Sequence, residues 1–527
     1  MNQSTLSLLV VVGLLAPLVG SALMMLLRGS AAKYTALFAT LVPLIAGLGA
    51  TFLLMGQAPA PEADGMLFTQ TANWFAVEGV DIKWMVGIDG LSAFMLLLAV
   101  LLFPLLIAYQ WEQDMPQARL FYGMLLLLET GIIGFFLSLD LLLFYIFFEL
   151  VLIPTVFLIG IWGHEERQQA ALKFFLYTLA GSLLMLISIL YLGIHAMSDA
   201  GISLTTDYFA IREALRSGEV VAFGLDAQRW VFLGFAVSFA IKVPLFPLHT
   251  WQAQTYSEST TSGSIVLAAL MSKMGAYGFI RFCLPFFPEV SRELAPVFAG
   301  LAVVSILYGA YLAVVQTDIK RLIAFSSLSH LGFIVLGIFA MTAEAISGAV
   351  LQMFAHGVTT AGMFFMADML ERRYPSRQIA DFQGVAKSAP GLTLLFMITV
   401  MASVGLPGLS GFVGEFMILV GAFDSPVINE TFAVLGALGV ILAAVYLLNM
   451  FRQVMFGPQE GSPAGALADA RRSEALVMLP LVLLMFWVGL YATPFLAAID
   501  PSTQAVVAQV AQQLPTAVSD VARLLAP

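Results

Sequence analysis

Apolar runs long enough to cross a lipid bilayer recur along almost the whole chain, from the first few residues to about residue 497. A helix rises about 1.5 Å per residue, so about 20 apolar residues span the roughly 30 Å of hydrocarbon in a membrane. Of the 527 residues, 60% are hydrophobic and only 11% are charged, which no ordinary soluble domain shows. The sequence therefore predicts a single polytopic membrane domain over residues 1–527.

Splitting these runs at charged, polar and Gly/Pro clusters predicts an all-α membrane protein of about fourteen transmembrane helices. The predicted spans are 5–27, 34–56, 88–110, 118–138, 139–162, 168–195, 229–251, 259–284, 294–316, 320–340, 343–371, 391–424, 430–456 and 475–497. The first run lacks a basic n-region and is longer than the core of a cleaved signal peptide, so it is interpreted as a span. The mildly amphipathic tail from Thr503 to Leu525 is expected at the membrane surface.

The orientation of the spans is predicted from lysine and arginine. With the N-terminus on the outer side, fourteen basic residues fall on the inner side and seven on the outer side. This asymmetry agrees with the positive-inside tendency of membrane proteins. The two basic residues that remain, Lys242 and Lys273, lie inside apolar segments.

Several ionisable residues are predicted near the middle of a span. Glu149 follows Asp140 by nine residues, which is about 13 Å along a helix, and His330 follows Lys320 by ten residues. His356 lies at a similar depth in its own span. A charge at mid-bilayer costs about 2.5–3.5 kcal/mol on insertion scales, so such groups are functional candidates by default.

Two spans carry signals of an interrupted helix. Lys242 opens the run KVPLFPLHTW, in which Pro244 and Pro247 remove backbone donors and should leave carbonyls near residues 240 and 243 without helical partners. In GLPGLSGFVGEF, glycines recur every third residue around Pro407, immediately before Glu415. Paired interruptions in corresponding halves are typical of transporters built from inverted repeats.

These observations predict a proton path whose carriers share the middle of the membrane: Glu149, Lys242, Lys273, His330, His356 and Glu415. A structural ion pair between Glu149 and Lys242 is the simplest alternative, but it would not explain the other members of the set.

Two further residues are minor candidates. Glu129 fits burial against a serine or a backbone amide as well as it fits a proton-carrying role. His249 could equally cap carbonyls that the proline break releases.

No catalytic residue, metal site or nucleotide-binding motif is predicted. Cys283 is the only cysteine, which is too few thiolates for an iron–sulfur cluster. Neither a G-x-G-x-x-G fingerprint nor a Walker A loop is present. Electron transfer or nucleotide chemistry would therefore need a partner protein.

Several motifs together resemble the antiporter-like subunits of respiratory NADH:quinone oxidoreductase, complex I, over nearly the whole chain. They are FFELVLIPTVFLIGIWG, KVPLFPLHTW, LMSKMGAYGFIRF, DIKRLIAFSSLSHLGFI, FAHGV and LPGLSGFVGEF. Within that family, an acid at Glu415, where sister subunits generally carry lysine, is similar to the subunit M type, called chain 4 in mitochondria.

The resemblance implies a defined architecture. It implies two inverted five-helix repeats, spans 4–8 in residues 118–284 and spans 9–13 in residues 294–456, with spans 7 and 12 discontinuous. Three N-terminal helices, in residues 1–110, precede the repeats, and a last helix with the tail, in residues 475–527, follows them.

The resemblance also implies partners, location and function. The chain would translocate protons in the inner (cytoplasmic) membrane of a bacterium, with its N-terminus on the periplasmic side. It would bind no cofactor, because FMN, iron–sulfur clusters and quinone are expected in partner subunits. Its expected contacts are the lipid bilayer and other membrane subunits, especially two sister antiporter-like subunits, and no nucleic acid.

Two other interpretations stay open at this point. A subunit of a multi-subunit cation/proton antiporter or of a membrane-bound hydrogenase would use the same channel residues with a different driving reaction. An assembly scaffold without transport is disfavoured by the number of ionisable residues near mid-span.

Overall fold

The computed structural model describes residues 3–26, 31–56, 66–77, 80–195, 204–217, 224–458 and 461–512, and this part of the chain is mostly helical. Within it, ten helices are long and apolar enough to cross a membrane, and four shorter apolar helices accompany them. The predicted helical membrane fold is confirmed, while the number of about fourteen spans stays a prediction.

The helices of the first half begin at the N-terminus and end at the first interrupted span. They are α1 (Gln3–Leu23), α2 (Ala31–Gly56), α3 (Ala93–Tyr109), α4 (Ala118–Leu137), α5 (Leu141–Leu150), α6 (Leu152–Trp162), α7 (Arg167–His195), α8 (Tyr208–Ser217), α9 (Leu225–Lys242) and α10 (Gln252–Glu258).

The central segment 261–286 follows, and the second half completes the bundle. These helices are α11 (Thr261–Val266), α12 (Ser272–Gly278), α13 (Leu284–Phe286), α14 (Pro288–Val314), α15 (Ile319–Phe339), α16 (Ala343–Arg373), α17 (Val385–Ser388), α18 (Pro390–Val404), α19 (Ser410–Phe423), α20 (Thr431–Met455), α21 (Arg472–Leu490) and α22 (Thr493–Gln512). A short 3₁₀ turn covers Ile379–Asp381.

A β-hairpin stands where the sequence predicted only a connection and the start of a helix. Strands β1 (Met66–Val77) and β2 (Val80–Asp89) pair antiparallel, and β3 (Leu204–Thr205) joins β2 in parallel. The predicted start of the third span at residue 88 is wrong. The Asp89 carboxylate accepts from the Leu91 and Ser92 amides, so the strand turns there and α3 begins only at Ala93.

The hairpin is bonded to the bundle at one end, which we call the hairpin end and define by β1, β2, Arg281 and α22. Arg281 Nη2 lies 2.6 Å from Asp89 Oδ2, and both side chains are buried. The amide of Gly90 donates to Ser502 Oγ of α22 over 3.1 Å. These contacts hold the C-terminal helix α22 against the bundle.

The start of the predicted tail belongs to α22 and packs on protein. Thr503, Val506 and Val510 are buried, and just before the tail Ser347 of α16 donates to Asp500 over 2.8 Å. The expected position of the tail at the membrane surface stays a prediction. Residues beyond Gln512 lie outside the described part of the chain.

The opposite end carries most of the predicted inner basic residues, and we call it the basic end. There the Lys33 ammonium donates to the carbonyls of Trp111 and Gln113, just beyond the C-terminus of α3. Arg373 pairs with Glu474 at 2.6 Å and so fastens α16 to α21. Cations at helix C-termini are favoured by the helix dipole.

Both predicted interruptions are present. Helix α9 stops at Lys242, and the chain resumes helical structure only at Gln252. The Ala240 carbonyl, which was expected to lose its helical partner, accepts from the Leu245 amide over 2.8 Å. The Trp251 indole donates to the Ile241 carbonyl. Local donors thus replace the helical hydrogen bonds that the prolines remove.

The second interruption separates α18 from α19. Gly405 ends α18 with a φ of +84°, in the left-handed region. A residue with a Cβ pays roughly 1–2 kcal/mol in that conformation, so glycine suits the position.

The central segment contains two π-helical turns that the sequence did not predict. They cover Leu267–Met271 and Phe279–Cys283 and flank α12, which carries Lys273. Single π-turns inside α-helices are frequent at functional sites. Every described residue of the segment 261–286 is buried, so Lys273 lies in the interior of the bundle.

The left-handed conformation of Gly405 generates a stability prediction. Gly405→Ala should lower the melting temperature of the detergent-purified protein, because the added Cβ is strained by roughly 1–2 kcal/mol. Gly49→Ala is the control, since Gly49 lies in α2 with open space around the position of a Cβ. There alanine should be neutral or stabilising. Equal melting temperatures for the two variants would contradict the assignment of a strained turn.

Candidate functional site

A row of polar side chains crosses the buried interior between the central segment and α19. Lys273 Nζ lies 2.6 Å from His356 Nδ1 and 2.6 Å from the Ala268 carbonyl oxygen. Ala268 belongs to the first π-turn. The π-turn therefore supplies one of the two acceptors that hold the Lys273 amine against α16.

The row continues from α16 to α15 and α19. The rings of His356 and His330 have their centroids 5.5 Å apart. His330 Nδ1 lies 2.6 Å from Glu415 Oε1, and the Gln352 amide donates to the same oxygen over 2.9 Å. The structure thus brings four of the predicted carriers, Lys273, His356, His330 and Glu415, into one contiguous series.

The hydrogen bonds imply how protons are distributed on the two rings. A protonated Lys273 donates to His356 Nδ1, which leaves the ring proton of His356 on Nε2, whereas a carboxylate at Glu415 accepts a hydrogen bond from His330 Nδ1. Both Nε2 atoms are buried and have no hydrogen-bond partner among the described residues. One is thus a donor and the other an acceptor, which suits transfer through a bridging water.

The glycine-rich interruption positions Glu415. The carboxylate oxygen Oε2 would lie 3.4 Å from a Cβ at Gly405, so Glu415 points into the gap between the two half-helices. A Cβ at Gly414 would come within 2.8 Å of the Gln352 side chain. The absence of a side chain at Gly414 allows α19 to approach α16 closely enough for the Gln352–Glu415 hydrogen bond.

Lys242 and Glu149 are placed near each other but not in contact. Lys242 Nζ lies 4.5 Å from the centroid of the Phe148 ring, in cation–π geometry. Glu149 interacts with Lys242 electrostatically, but the two form no ion pair within 4.0 Å. A direct ion pair between Glu149 and Lys242 is therefore not present in this structure.

The end of α9 packs directly against the segment that carries Lys273. A Cβ at Gly275 would lie 2.5 Å from the Phe239 carbonyl oxygen and 3.0 Å from the Val243 amide. Lys242 therefore ends its helix beside α12. This close backbone approach connects the Lys242 region with the buried row.

The two minor candidates lie apart from this row. Both carboxylate oxygens of Glu129, in α4, are buried without a hydrogen-bond partner in the described residues. The His249 ring stacks on Phe246 and meets Tyr308 edge-on, and it lines a cavity of about 790 Å³ together with Lys173 and Arg377. His249 thus faces a polar cavity, and a cap on the carbonyls that the proline break releases had been the alternative.

Sequence reasoning missed Gln352 and misjudged Lys320. Gln352 lies one helical turn before His356, and an isolated glutamine in a span gave no signal of its role. Lys320 begins the predicted span 320–340, yet its side chain is only 2% exposed and is paired with Glu371. His164, which was not among the predicted site residues, contacts Lys320.

Amine, imidazole and carboxylate groups in series can each gain and lose a proton. No group of three His, Cys, Asp or Glu side chains in the described residues is arranged to hold a metal ion. The arrangement is therefore chemically suited to proton transfer.

Known proteins share this fold and much of this sequence. Residues 138–443 match the family described as NADH:quinone oxidoreductase/Mrp antiporter, TM. The chain belongs to this family. NADH-quinone oxidoreductase subunit M of Rhodobacter capsulatus is 38% identical over 471 residues, covering 89% of either chain. The predicted resemblance to the subunit M type of this family is thereby confirmed.

Two solved structures have a fold similar to that of this chain. A chain of respiratory complex I from Thermus thermophilus with bound NADH superposes with a TM-score of 0.81 and 34% identity, covering 95% of this chain and 99% of that one. A chain of the Mrp complex from Dietzia has a TM-score of 0.77 at 21% identity, covering 97% of this chain and 100% of that one. The second likeness shows the fold alone.

The shared oxygen of Glu415 generates a prediction about energetic coupling. In a double-mutant cycle, His330→Ala and Glu415→Ala should couple by about 1–3 kcal/mol, because either change alone leaves a buried polar partner unsatisfied. The coupling free energy is obtained from the heat stability of the purified wild type, the two single variants and the double variant. The exposed pair Glu213 and Arg216, 2.8 Å apart in α8, is the control and should show none. Strictly additive effects of the two alanine substitutions would contradict the geometry.

Proposed function

We propose that this chain is the proton-translocating membrane subunit of an NADH:quinone oxidoreductase, coupling redox chemistry elsewhere in the complex to proton pumping. The contiguous series from Lys273 through His356 and His330 to Glu415 is the observation that carries the proposal. A purely structural core would not need four titratable groups in a row inside a bilayer, where each is costly.

Protons enter from the basic end and reach Lys242, pass through water to Lys273 and the two histidines, and leave from Glu415 toward the hairpin end. Lys242 rests on the Phe148 ring and Glu149 lies nearby, which supports an open form of the Glu149–Lys242 pair. Closing the pair to about 4 Å yields roughly 4 kcal/mol at an effective dielectric near 20. Moving one proton against about 150 mV costs roughly 3.5 kcal/mol, so one closure matches one transfer.

The division of the chain belongs to the same proposal. Residues 118–284 and 294–456 form two inverted five-helix repeats, each with one interrupted helix, preceded by residues 1–110 and followed by residues 475–527. The breaks after Lys242 and after Val404 support it, since each repeat contains one. The basic end faces the cytoplasm of a bacterium, with the N-terminus on the periplasmic side of the inner membrane.

The partners follow from the chemistry that this chain lacks. Its partners are other membrane subunits, above all two sister antiporter-like subunits. FMN, iron–sulfur clusters and quinone are bound in partner subunits. Glu149 is only half-buried in the isolated chain, which supports a neighbouring subunit acting on the Glu149–Lys242 pair.

A second candidate is a subunit of a multi-subunit cation/proton antiporter, which the likeness to the Mrp complex favours at the level of the fold. Neighbouring genes separate the two. Genes for NADH-binding and quinone-site subunits in the same operon support the first candidate, and antiporter subunits alone would replace it with the second.

The Glu149–Lys242 pair generates the first functional prediction. Glu149→Gln and Lys242→Ala should nearly stop pumping, because one removes the switch and the other removes the carrier. Lys242→Arg should also fail, since a guanidinium does not release its proton. Pumping is measured in membrane vesicles and normalised to assembled complex by NADH:ferricyanide activity. A structural pair predicts instead that arginine substitutes well and that complex abundance falls before activity per complex.

Glu415 generates the second. Glu415→Gln should leave the complex assembled, since an amide oxygen still accepts from His330, but it should reduce both pumping and coupled quinone reduction. Glu415→Asp should retain part of both. Pumping by the glutamine variant at the wild-type rate would remove Glu415 from the path.

A further inference from the structure

Three ionisable side chains from three separate elements meet at the basic end, away from the row described above. His164 lies between α6 and α7, Lys320 in the first turn of α15, and Glu371 near the end of α16. Lys320 Nζ lies 2.6 Å from Glu371 Oε2 and 3.2 Å from His164 Nε2. His164 Nδ1 lies 3.9 Å from the other Glu371 oxygen. We call these residues the basic-end triad.

The three side chains of the basic-end triad differ in exposure, from partly exposed to buried. The His164 side chain is 35% exposed, the Glu371 side chain 20% and the Lys320 side chain 2%. Since the Lys320 ammonium donates to His164 Nε2, the imidazole is neutral in this arrangement. A proton arriving at His164 from water removes that acceptor and makes the ring a competing donor for Glu371.

Charged groups around His164 favour its neutral form. Burial, and next the Lys320 ammonium, lower the pKa of His164, with Glu371 opposing. Arg377 lowers the pKa further, and Glu258 raises it. His164 is therefore mostly neutral at neutral pH, so it is free to accept a proton that arrives from water.

A line of polar atoms continues inward from the triad along α15. Ser327 and His330 follow Lys320 by seven and ten residues, so all three share one face of the helix. The Gln252 amide donates to the Ala324 carbonyl over 3.1 Å, at a level between Lys320 and Ser327 along the helix axis. Ser327 Oγ and His330 Nε2 are buried with no hydrogen-bond partner in the described segments. Buried polar atoms of this kind are commonly satisfied by ordered water.

We propose that the basic-end triad is a second proton-uptake site, which reloads His330 along α15 while the Glu149–Lys242 pair acts as the switch. The proposal rests on the proposed function. The two inputs have different roles, so loss of the switch stops pumping, whereas loss of the triad slows the supply of protons.

Helix α16, which carries Glu371, also carries a purely structural ion pair at the basic end. Arg373 bonds both oxygens of Glu474, at 3.0 and 2.6 Å, and both side chains are 8% exposed. That pair has no exposed imidazole. The basic-end triad differs because it joins a water-accessible imidazole to a buried amine at the start of the helix that carries His330.

The experiment compares pumping by variants of the assembled complex in inside-out vesicles, where the basic end faces the bath. The variants are His164→Gln, Glu371→Gln and Glu371→Asp, and Glu474→Gln is the matched control. Pumping is recorded between about pH 6 and pH 8, around the ordinary histidine pKa, relative to wild type at each pH. Each value is normalised to assembled complex by NADH:ferricyanide activity.

We expect His164→Gln and Glu371→Gln to pump several-fold more slowly than wild type. Because uptake begins with protonation of His164, the deficit of His164→Gln should be largest near pH 6 and smallest near pH 8. Glu371→Asp should recover part of the rate, and Glu474→Gln should follow the wild-type profile. A merely structural role of the triad predicts a deficit of the same size at every bath pH.

A deficit that is constant with pH, or no deficit at all, would overturn the second uptake site. Lys242→Ala and Glu415→Gln separate this outcome from failure of the proposed function. If those two variants stop pumping while the His164 and Glu371 variants behave like Glu474→Gln, only the second uptake site is wrong. If Lys242→Ala and Glu415→Gln pump normally, the proposed function is wrong as well.

Discussion

The hydrogen bond between His330 and Glu415 exists because a polar group carried into a bilayer must find its partner inside the protein. At 2.6 Å, with Gln352 bonded to the same oxygen, the acid is held in the gap of an interrupted helix. The remaining row depends on this anchor. His330 fixes the position opposite His356, and His356 in turn holds the amine of Lys273.

Interrupted and π-helical backbone makes room for these contacts. An unbroken α-helix satisfies its own carbonyls, so it has none to offer a lysine. The π-turn directs the Ala268 carbonyl to Lys273, and the end of α9 leaves Lys242 at a helix C-terminus, where the helix dipole favours a cation. The fold and the site therefore depend on each other, because the irregularities that cost helical stability also position the ionisable groups.

Much of the fold and of the candidate site could be predicted from the sequence, because the bilayer restricts which residues a span can contain. Long apolar runs indicate spans, and an ionisable residue inside one stands out, as Glu149, Lys273 and Glu415 do. The proline and glycine clusters located both interruptions. Features that depend on packing gave no such signal: the π-turns have ordinary helical composition, Gln352 is neutral, and Lys320 is buried only because Glu371 and His164 meet it. The hairpin was missed because splitting apolar runs assumes helices.

The central claim is that protons pass through the two imidazoles joining Lys273 to Glu415. The most direct test is the number of protons pumped per NADH oxidised by His330→Ala, by His356→Ala and by the double variant, in vesicles with equal amounts of assembled complex. Water can replace one ring, so each single variant should lose only part of the ratio. The double variant should lose the contribution of this subunit. A double variant with the wild-type ratio would contradict the account and leave a path through water and Lys273 alone.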